Sequence, residues 1–572
     1  MKLDFQKAHI SGVERVAAWS DVLDSINVFP VADGDTGRNL IASLTPLRYL
    51  DEDRDLTIHQ LLLSARGNSG NIAARFFAAF LAANSFDDLF QAAKLGRDQA
   101  WQAVSRPVHG TMLTVFDTLV DVLDKYSSKD LDATAAEIID RLETAVKSTP
   151  QLLPGLKQAG VVDSGALGMY IFFESFFKHL VGQNDGFQPL STRFKGLLAI
   201  SPSFQAQMEA GYCVDTVIRL DGNDQEIISR LRQYGDNVVM IPHKDYLKVH
   251  LHTDDMDSAR KKMESLGDVV QWTDDDLAAQ ISDFKQLGRQ GAVHIMTDAA
   301  GSLTREHARE LGITLLDSYI IAGDKSLPES LFAAAELYQT MRDGIRVSTS
   351  QASMFERHQY YQRVIEQHPQ VLYLCVGSVF TGNFNVAMQW KEQNDPDNRM
   401  TVIDTGAASG RLGTIAMATA RYSQTTDDPE AVVDFAGWAV HACEEYVFLD
   451  KLKYLAAGGR LSKSSAFFGD MLHVKPVISP MAEGAKKVGM AKNGADQLKF
   501  ALDKLNSACR PGSAPLVMLE YSDNRDWVDT TVKKAVASHY PTCEILLQPL
   551  SLTSGVHFGP GTWAMAFLPE LF

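Results

Sequence analysis

The chain has 572 residues, of which 45% are hydrophobic and 22% charged, with a formal net charge of −17; this is the make-up of about four globular domains with real cores. The acidic balance, with no Lys/Arg-rich run, argues against a nucleic-acid binder, whose footprint is basic. Cys213, Cys375, Cys443, Cys509 and Cys543 are scattered and odd in number, so no disulfide scaffold is expected and a reducing cytoplasm is the default setting.

The first residues, MKLDFQKAHISGVERV, carry charge throughout and lack the apolar core of a signal peptide. No uncharged apolar stretch is long enough to span a bilayer. Residues 1 to 192 read as helical: GNIAARFFAAFLAA and SGALGMYIFFESFFKHLV carry apolar residues too densely for surface helices. Within this region INVFPVADGDTGRNL (26–40) sets Asp33 and Asp35 around one glycine. Two readings stand. Asp, Gly, Thr and Asn are turn formers and helix caps; alternatively, two close carboxylates repel, and a divalent cation removes that cost. An EF-hand wants Gly at loop position six and Glu at twelve, and those positions hold Arg38 and Leu44. Magnesium remains, since it takes one or two carboxylates and fills its other positions with water and phosphate. Three glycine-rich loops follow, ARGNSGN (65–71), RPVHGTML (106–113) and KQAGVVDSGALG (157–168). Such loops can present N–H groups to an anion at helix N-termini, or can simply break helices.

From 193 to 286 the texture becomes α+β. GYCVDTVIRL and YLKVHLHT alternate like strands, and NDQEIISRLRQYG and DSARKKMESLG read as short helices. His250 and His252, two apart on a strand, leave the same face. With Cys213 they make a reasonable zinc set, a catalytic or subunit-bridging cluster, or merely an exposed strand face.

From 287 to 572 strands and helices alternate. AVHIMTD, VLYLCVGS, MTVIDT and PLVMLEY read as strands, and MFERHQYYQRVIEQH as a helix between them. A division into two lobes is expected near KYLAAGGRLS (453–462). No P-loop motif occurs, and GPGTWA (559–564) comes too late to open a βαβ unit. The fold class expected is therefore multidomain: an all-α helical barrel, a small α+β domain and a two-lobed α/β region.

NVFPVADGDTGRN, ARGNSGN, HGTML and LKQAGVVDSGALGM, in this order, resemble the nucleotide-binding domain of the dihydroxyacetone kinase family. They are most similar to the branch that forms the ATP-binding component of bacterial fatty acid kinase. The resemblance implies an antiparallel helical barrel that binds ATP through magnesium at one end. It implies Asp33 and Asp35 as magnesium ligands. Asn27 stands where that family has a third Asp, offering an amide oxygen as a third ligand. Thr36, Asn39, Ser69, Gly70, Gly110 and Thr111 would line the nucleotide. GYC and KVHLHT resemble the middle domain of the same kinase.

The last region resembles the DegV family of fatty-acid-binding proteins, through TDAAGSL (297–303), STSQAS (348–353), VGSVFTGNFNVA (376–387), VIDTGAASGRLG, YLAAGGRLS, VKPVIS and VHFGPG in order. Ala352 stands where Pro is usual. This resemblance implies two α/β lobes with an acyl chain between them, its carboxylate held by Thr349, Ser378, Arg460 and His557. Kinase and carrier, separate proteins in free-standing systems, look fused here. The activity implied is ATP-dependent phosphorylation of a fatty acid to an acyl phosphate, with Asp33, Asp35, Arg460 and His557 at the chemistry. ATP, magnesium and zinc are the cofactors implied. The partners implied are a fatty acid, an acyltransferase that accepts the acyl phosphate, and a second copy of the chain in a homodimer. The alternatives are a lipid-binding or sensing protein gated by an ATP domain, and a small-molecule kinase of the dihydroxyacetone type.

Overall fold

The computed structural model describes residues 3–50, 53–125, 131–183, 186–205, 211–220, 227, 231, 238–284, 291–323, 325–457, 475–510 and 512–570. They form two compact units, Met1–Lys285 and Gln286–Phe572.

The first unit begins with helices α1 (Phe5–Ser25), α2 (Thr36–Leu44), α3 (Arg54–Ser64), α4 (Gly67–Phe80), α5 (Phe86–Ala103), α6 (Met112–Lys125), α7 (Leu131–Leu152), α8 (Pro154–Ala159) and α9 (Ser164–Leu180). Packing runs from α1 through α2, α4, α5, α6, α7 and α9 back to α1, closing a ring. α9 meets α1, α2, α6 and α7, which is why it is buried along nearly all of its length. Aromatic side chains fill the interior: Phe76 stacks on Phe116 at 4.0 Å between centroids, and Phe77 lies 4.5 Å from Phe172. Arg15 and Glu174 are paired in the interior, 1% and 0% exposed. Removing one partner of such a pair costs about 3–5 kcal/mol, because the other charge is left buried alone.

Four antiparallel strands follow, β1 (Tyr212–Leu220), β2 (Val239–His243), β3 (Tyr246–Thr253) and β4 (Gly267–Asp276), in the order β2–β3–β1–β4. Side-chain alternation splits this sheet into two unlike faces. Val214, Ile218, Leu247, Val249 and Leu251 pack with Ala259 and Met263 of the helix Met256–Glu264. Cys213, Asp215, Lys248, His250, His252 and Asp275 fall on the opposite face by register. The sheet lies against α4, which touches β1, β2 and β3.

In the second unit the strands are β5 (His294–Asp298), β6 (Thr314–Leu316), β7 (Tyr319–Ala322), β8 (Lys325–Pro328), β9 (Val347–Ser350), β10 (Val371–Cys375), β11 (Met400–Asp404), β12 (Glu444–Phe448), β13 (Lys475–Met481), β14 (Gly484–Ala491), β15 (Leu516–Tyr521), β16 (Glu544–Pro549) and β17 (Trp563–Leu568). β11–β10–β5–β6 is a parallel sheet, β8–β7–β9 a small antiparallel one, and β14–β13–β12–β17–β15–β16 a mixed one. The four apolar runs read as strands are β5, β10, β11 and β15, and GPGTWA leads into the last strand rather than opening a helix. Leu372 and Leu374 of the first sheet share a core with Leu516, Met518 and Ala566 of the third, joined by the helix Ser409–Ser423. Among the described residues no helix is long and apolar enough to cross a membrane.

Two carboxyls are buried together in this unit. Glu445 and Glu520 are both 0% exposed. Ser409 Oγ donates to Glu445 at 2.5 Å, and Ser302 Oγ donates to Glu520 at 2.6 Å. Both serines have positive φ, 44° and 56°, a cost for a residue with a Cβ that the two hydrogen bonds offset. Burial first, and the neighbouring Glu445 second, push the Glu520 carboxyl well above the usual range. Such a group binds its proton more tightly in the folded chain than in the unfolded one. Its contribution to stability is complete below the ordinary glutamate value of about 4.3 and is lost as pH rises through the folded value. Glu520→Gln, which keeps the hydrogen-bonding shape without the charge, should flatten this decline by about 1.4 kcal/mol for each unit of elevation. Urea unfolding of wild type and variant across about pH 5 to 8 measures it; parallel slopes would refute the assignment.

Candidate functional site

The acidic loop sits between α1 and α2. Asp24, at the end of α1, caps α2: its Oδ1 accepts from Gly37 N at 2.6 Å and from Arg38 N at 3.2 Å. Asp35 occupies the N-cap position yet makes no capping bond with its side chain. The cap of α2 thus comes from Asp24, outside the stretch 26–40, and not from the Asp35 side chain. Gly34 has φ 63°, and a Cβ there would lie 2.5 Å from the Phe284 ring, so the loop needs glycine at that point. Asn27 donates its Nδ2 to Asp33 Oδ1. Its amide oxygen accepts from Ser164 Oγ at 3.3 Å, and the same hydroxyl reaches Thr36 Oγ1 at 3.1 Å. Loss of water first, and the Asp35 carboxylate second, push the Asp33 carboxyl well above its ordinary range. That is the electrostatic strain a divalent cation relieves.

The other nucleotide candidates lie on the turns that open α4 and α6. Ser69 and Gly70 are in the first turn of α4, and the Asn39 amide lies against Gly67, where a Cβ would come within 2.1 Å of it. Gly110 donates its N–H to Thr114 Oγ1 at 2.8 Å, and Thr111 Oγ1 donates to Val108 O at 3.1 Å, just before α6.

Cys213, His250 and His252 converge, with one ligand atom from each lying within 4.8 Å of the others. The Cys213 sulfur is 4.0 Å from His250 Nε2, the ring nitrogen turned away from Asp215. In a tetrahedral zinc set such atoms stand about 3.5 Å apart, so the geometry fits with small adjustment. Cys213 and His250 are buried, which rules out the exposed-strand reading. Burial, then the neighbouring His250, lower the His252 imidazole to about 3, so it is a neutral donor at pH 7. Burial first, then the charges of Asp215, Asp35, Asp33 and Asp275, hold the Cys213 thiol well above its usual value.

The pattern of the sequence does not single out Asp215, although it shares a face with Cys213 two residues away. Its Oδ2 accepts from Gly67 N at 2.8 Å and its Oδ1 from Asn71 Nδ2 at 2.8 Å. The same Oδ1 lies 3.4 Å from His250 Nδ1 and 3.8 Å from Lys248 Nζ. Burial works against the charged form and is outweighed by Lys248 and His250, so the carboxyl stays below the ordinary range. Asp275 pairs with Cys213 across the sheet at its exposed margin.

In the second unit Thr349 lies half-buried on β9 opposite Ile320, and the helix Leu552–Phe558, which carries His557, packs on β7 and β9. Gln351 Nε2 donates to Thr381 Oγ1 at 2.7 Å, bringing STSQAS to VGSVFTGNFNVA. Ser378 is exposed, and its N–H donates to Asp404 at 2.9 Å. Arg460 lies outside the described residues, as does 458–462 of the stretch where a division was expected. Asp298 of TDAAGSL is a buried anchor: it accepts from Arg357 at 2.9 Å, Tyr373 at 3.0 Å, Asn383 at 2.8 Å and Val376 N at 2.9 Å.

Comparison with known proteins finds three family matches along the chain. Residues 30–178 match the DAK2 domain, 209–284 the FakA-like middle domain of fatty acid kinase, and 292–570 the DegV family of uncharacterised proteins. An uncharacterised protein of Staphylococcus saprophyticus is 29% identical over 324 residues, covering 51% of this chain and 58% of its own. Protein YloV of Bacillus subtilis is 29% identical over 298 residues, covering 46% and 53%. The chain thus spans little more than half the length of these curated relatives. Among solved structures, a fatty-acid-binding DegV-family protein from Thermus thermophilus is 23% identical, covering 48% of this chain and 99% of that one, with a TM-score of 0.45. DegV from Bacillus subtilis, a fatty acid binding protein, is 17% identical, covering 49% and 100%, with a TM-score of 0.45.

Protein purified without a histidine tag should carry about one zinc per chain, and His250→Ala or His252→Ala should lose it by a factor of ten or more in affinity. Elemental analysis of wild type and variants checks this. Absence of zinc from wild type even after incubation with the metal would reject the assignment.

Proposed function

From one chain that carries a DAK2 domain, a FakA-like middle domain and a DegV-family domain, we propose a fatty acid kinase fused to its own fatty-acid carrier. ATP and a fatty acid give an acyl phosphate and ADP. A carboxylate oxygen bonds to the γ-phosphorus while the bond to the β-phosphate oxygen breaks and leaves with ADP. A fatty carboxyl, with an ordinary pKa near ~4–5, is already ionised at pH 7, so the reaction needs no general base. The protein has to align two anions and neutralise charge, which is most of phosphoryl-transfer catalysis.

The observation that carries this reading is the Asp33–Asp35 pair beside the N-terminus of α2, neither used as the helix cap, with Asp33 stripped of water first and opposed by Asp35 second. Asp33 and Asp35 would hold magnesium, which supplies positive charge to phosphate oxygens when bound. Asn27 orients Asp33. Thr36, Asn39, Ser69, Gly70, Gly110 and Thr111 line the nucleotide in this reading. In the carrier, Thr349, Ser378, Arg460 and His557 hold the carboxylate, where Arg460 can offer a forked pair of donors. The product is a mixed anhydride, which suits transfer of its acyl group to an acceptor by a second enzyme.

Asp33→Asn and Asp35→Asn should each lower acyl phosphate formation by about 10²-fold or more, while fatty acid still co-purifies with the chain. The assay is hydroxylamine trapping of acyl phosphate made from ATP, magnesium and the co-purified lipid. Undiminished turnover in both variants would overturn the magnesium assignment. ATP binding with no acyl phosphate from any fatty acid would favour a carrier gated by nucleotide. Arg460→Ala should depress turnover by about tenfold or more with a smaller loss of lipid, because the chain contributes roughly 0.8 kcal/mol per buried CH₂ independently of the head group. Equal losses in the two measurements would move Arg460 out of the carboxylate site.

A further inference from the structure

The face of the middle sheet turned toward the helical ring does more than carry a metal set. Asp215 touches that set and the loop opening α4 with the same carboxylate. One oxygen accepts the Gly67 N–H at 2.8 Å. The other takes the Asn71 amide at 2.8 Å and lies 3.4 Å from His250 Nδ1. Gly67 has φ 60° and presses against the Asn39 side chain, so its orientation governs how ARGNSGN meets α2. Asp215 is 6% exposed, and Lys248, 0% exposed, is its nearest cation on β3 at 3.8 Å. A histidine that ligates a metal through one ring nitrogen normally gives its other N–H to a carboxylate, which fixes ring orientation. Here that carboxylate also holds the backbone of a glycine-rich loop. Asp215 reaches none of the reacting atoms; it acts through the groups it orients.

We propose that Asp215 is a positioning residue that couples metal bound at Cys213, His250 and His252 to nucleotide bound at the loop 65–71. The coupling rests on the nucleotide-binding reading of that loop. With metal in place, His250 is fixed, Asp215 is fixed by it, and the Gly67 N–H and Asn71 are held in the arrangement that Ser69 and Gly70 need. Without metal the ring can turn and the carboxylate follows, and the loop loses its support. Coupling between two sites is reciprocal, so nucleotide must tighten the metal site by the same factor that metal tightens the nucleotide site.

The test uses the full chain, zinc as the metal and a non-hydrolysable ATP analogue with magnesium as the nucleotide. Calorimetry gives the nucleotide Kd before and after zinc is removed by a chelator selective for it over magnesium. In wild type, zinc removal should raise that Kd by about five- to fiftyfold, within the usual range of coupling. In Asp215→Asn at saturating zinc the protein should still load metal, about 10–100-fold more weakly, and its nucleotide Kd should no longer respond to zinc. Asn71→Ala cuts the link from the helix side and should also reduce the response, with the metal site itself untouched. Thermal unfolding verifies that each variant is folded; a merely structural role for Asp215 would lower the melting temperature and leave the zinc response intact. Tight nucleotide binding insensitive to zinc in wild type overturns the coupling alone, as does an undiminished response in Asp215→Asn. No zinc uptake by wild type overturns it as well. No nucleotide binding by zinc-loaded wild type overturns both the coupling and the reading on which it rests.

Discussion

A sheet that buries a charged face has to find charge for it. The middle sheet carries apolar residues on one side and Cys213, Asp215, Lys248, His250, His252 and Asp275 on the other. Leaving Asp215 and Lys248 buried without partners would cost several kcal/mol each. Lys248 faces Asp215 at 3.8 Å, and Asp215 in turn meets the start of α4. The first N–H of α4 meets Asp215, and the Asn71 side chain completes it. Helix starts are deficient in acceptors and carboxylates supply them, so the contact satisfies both partners. It also brings the Cys–His cluster and the acidic loop into the same electrostatic surroundings. Burial aside, the shift of Cys213 registers the charge of Asp35.

The second unit uses buried carboxylates in a related way. Asp298 gathers Arg357, Tyr373, Asn383 and the Val376 amide, drawing residues near the second and third motifs around the end of β5. Glu520 reaches Ser302, whose hydroxyl also accepts from Ser551 N at 2.8 Å, so the first motif is tied to the segment that leads to His557. Glu329 accepts from Thr553 N at 2.9 Å and from its hydroxyl, and burial first raises its carboxyl to about 7. Asp298 and Ser302 of the first motif thus fasten the loops around them. This explains why TDAAGSL and GAASGRLG contain serines at strained backbone positions: a hydroxyl is needed there, and glycine has none.

Much of the architecture is legible in the chain because local periodicity survives in the fold. Dense apolar helices mark the ring, alternation marks β1 and β3, and apolar runs bounded by turns mark β5, β10, β11 and β15. The paired aspartates, the glycine loops and the His-x-His strand are readable for the same reason, since each is a short pattern of residue types. Asp215 was within reach of the alternation that linked Cys213 to the histidines, but its neighbours Gly67 and Asn71 are more than 140 positions away in sequence. The role of Asp24 was equally hidden, because a helix cap is sought beside its helix and this one comes from the end of the preceding helix.

The sequence by itself determined the three kinds of domain, their order, and the residue types available for cation, nucleotide and metal. Those follow from composition, period and spacing, which are local properties. Only the tertiary structure decided which carboxylate caps α2, whether the His-x-His strand faces water or the interior, and that one aspartate serves a histidine and a glycine loop at once. Each of these depends on which groups lose water together, and that is settled only when distant segments pack.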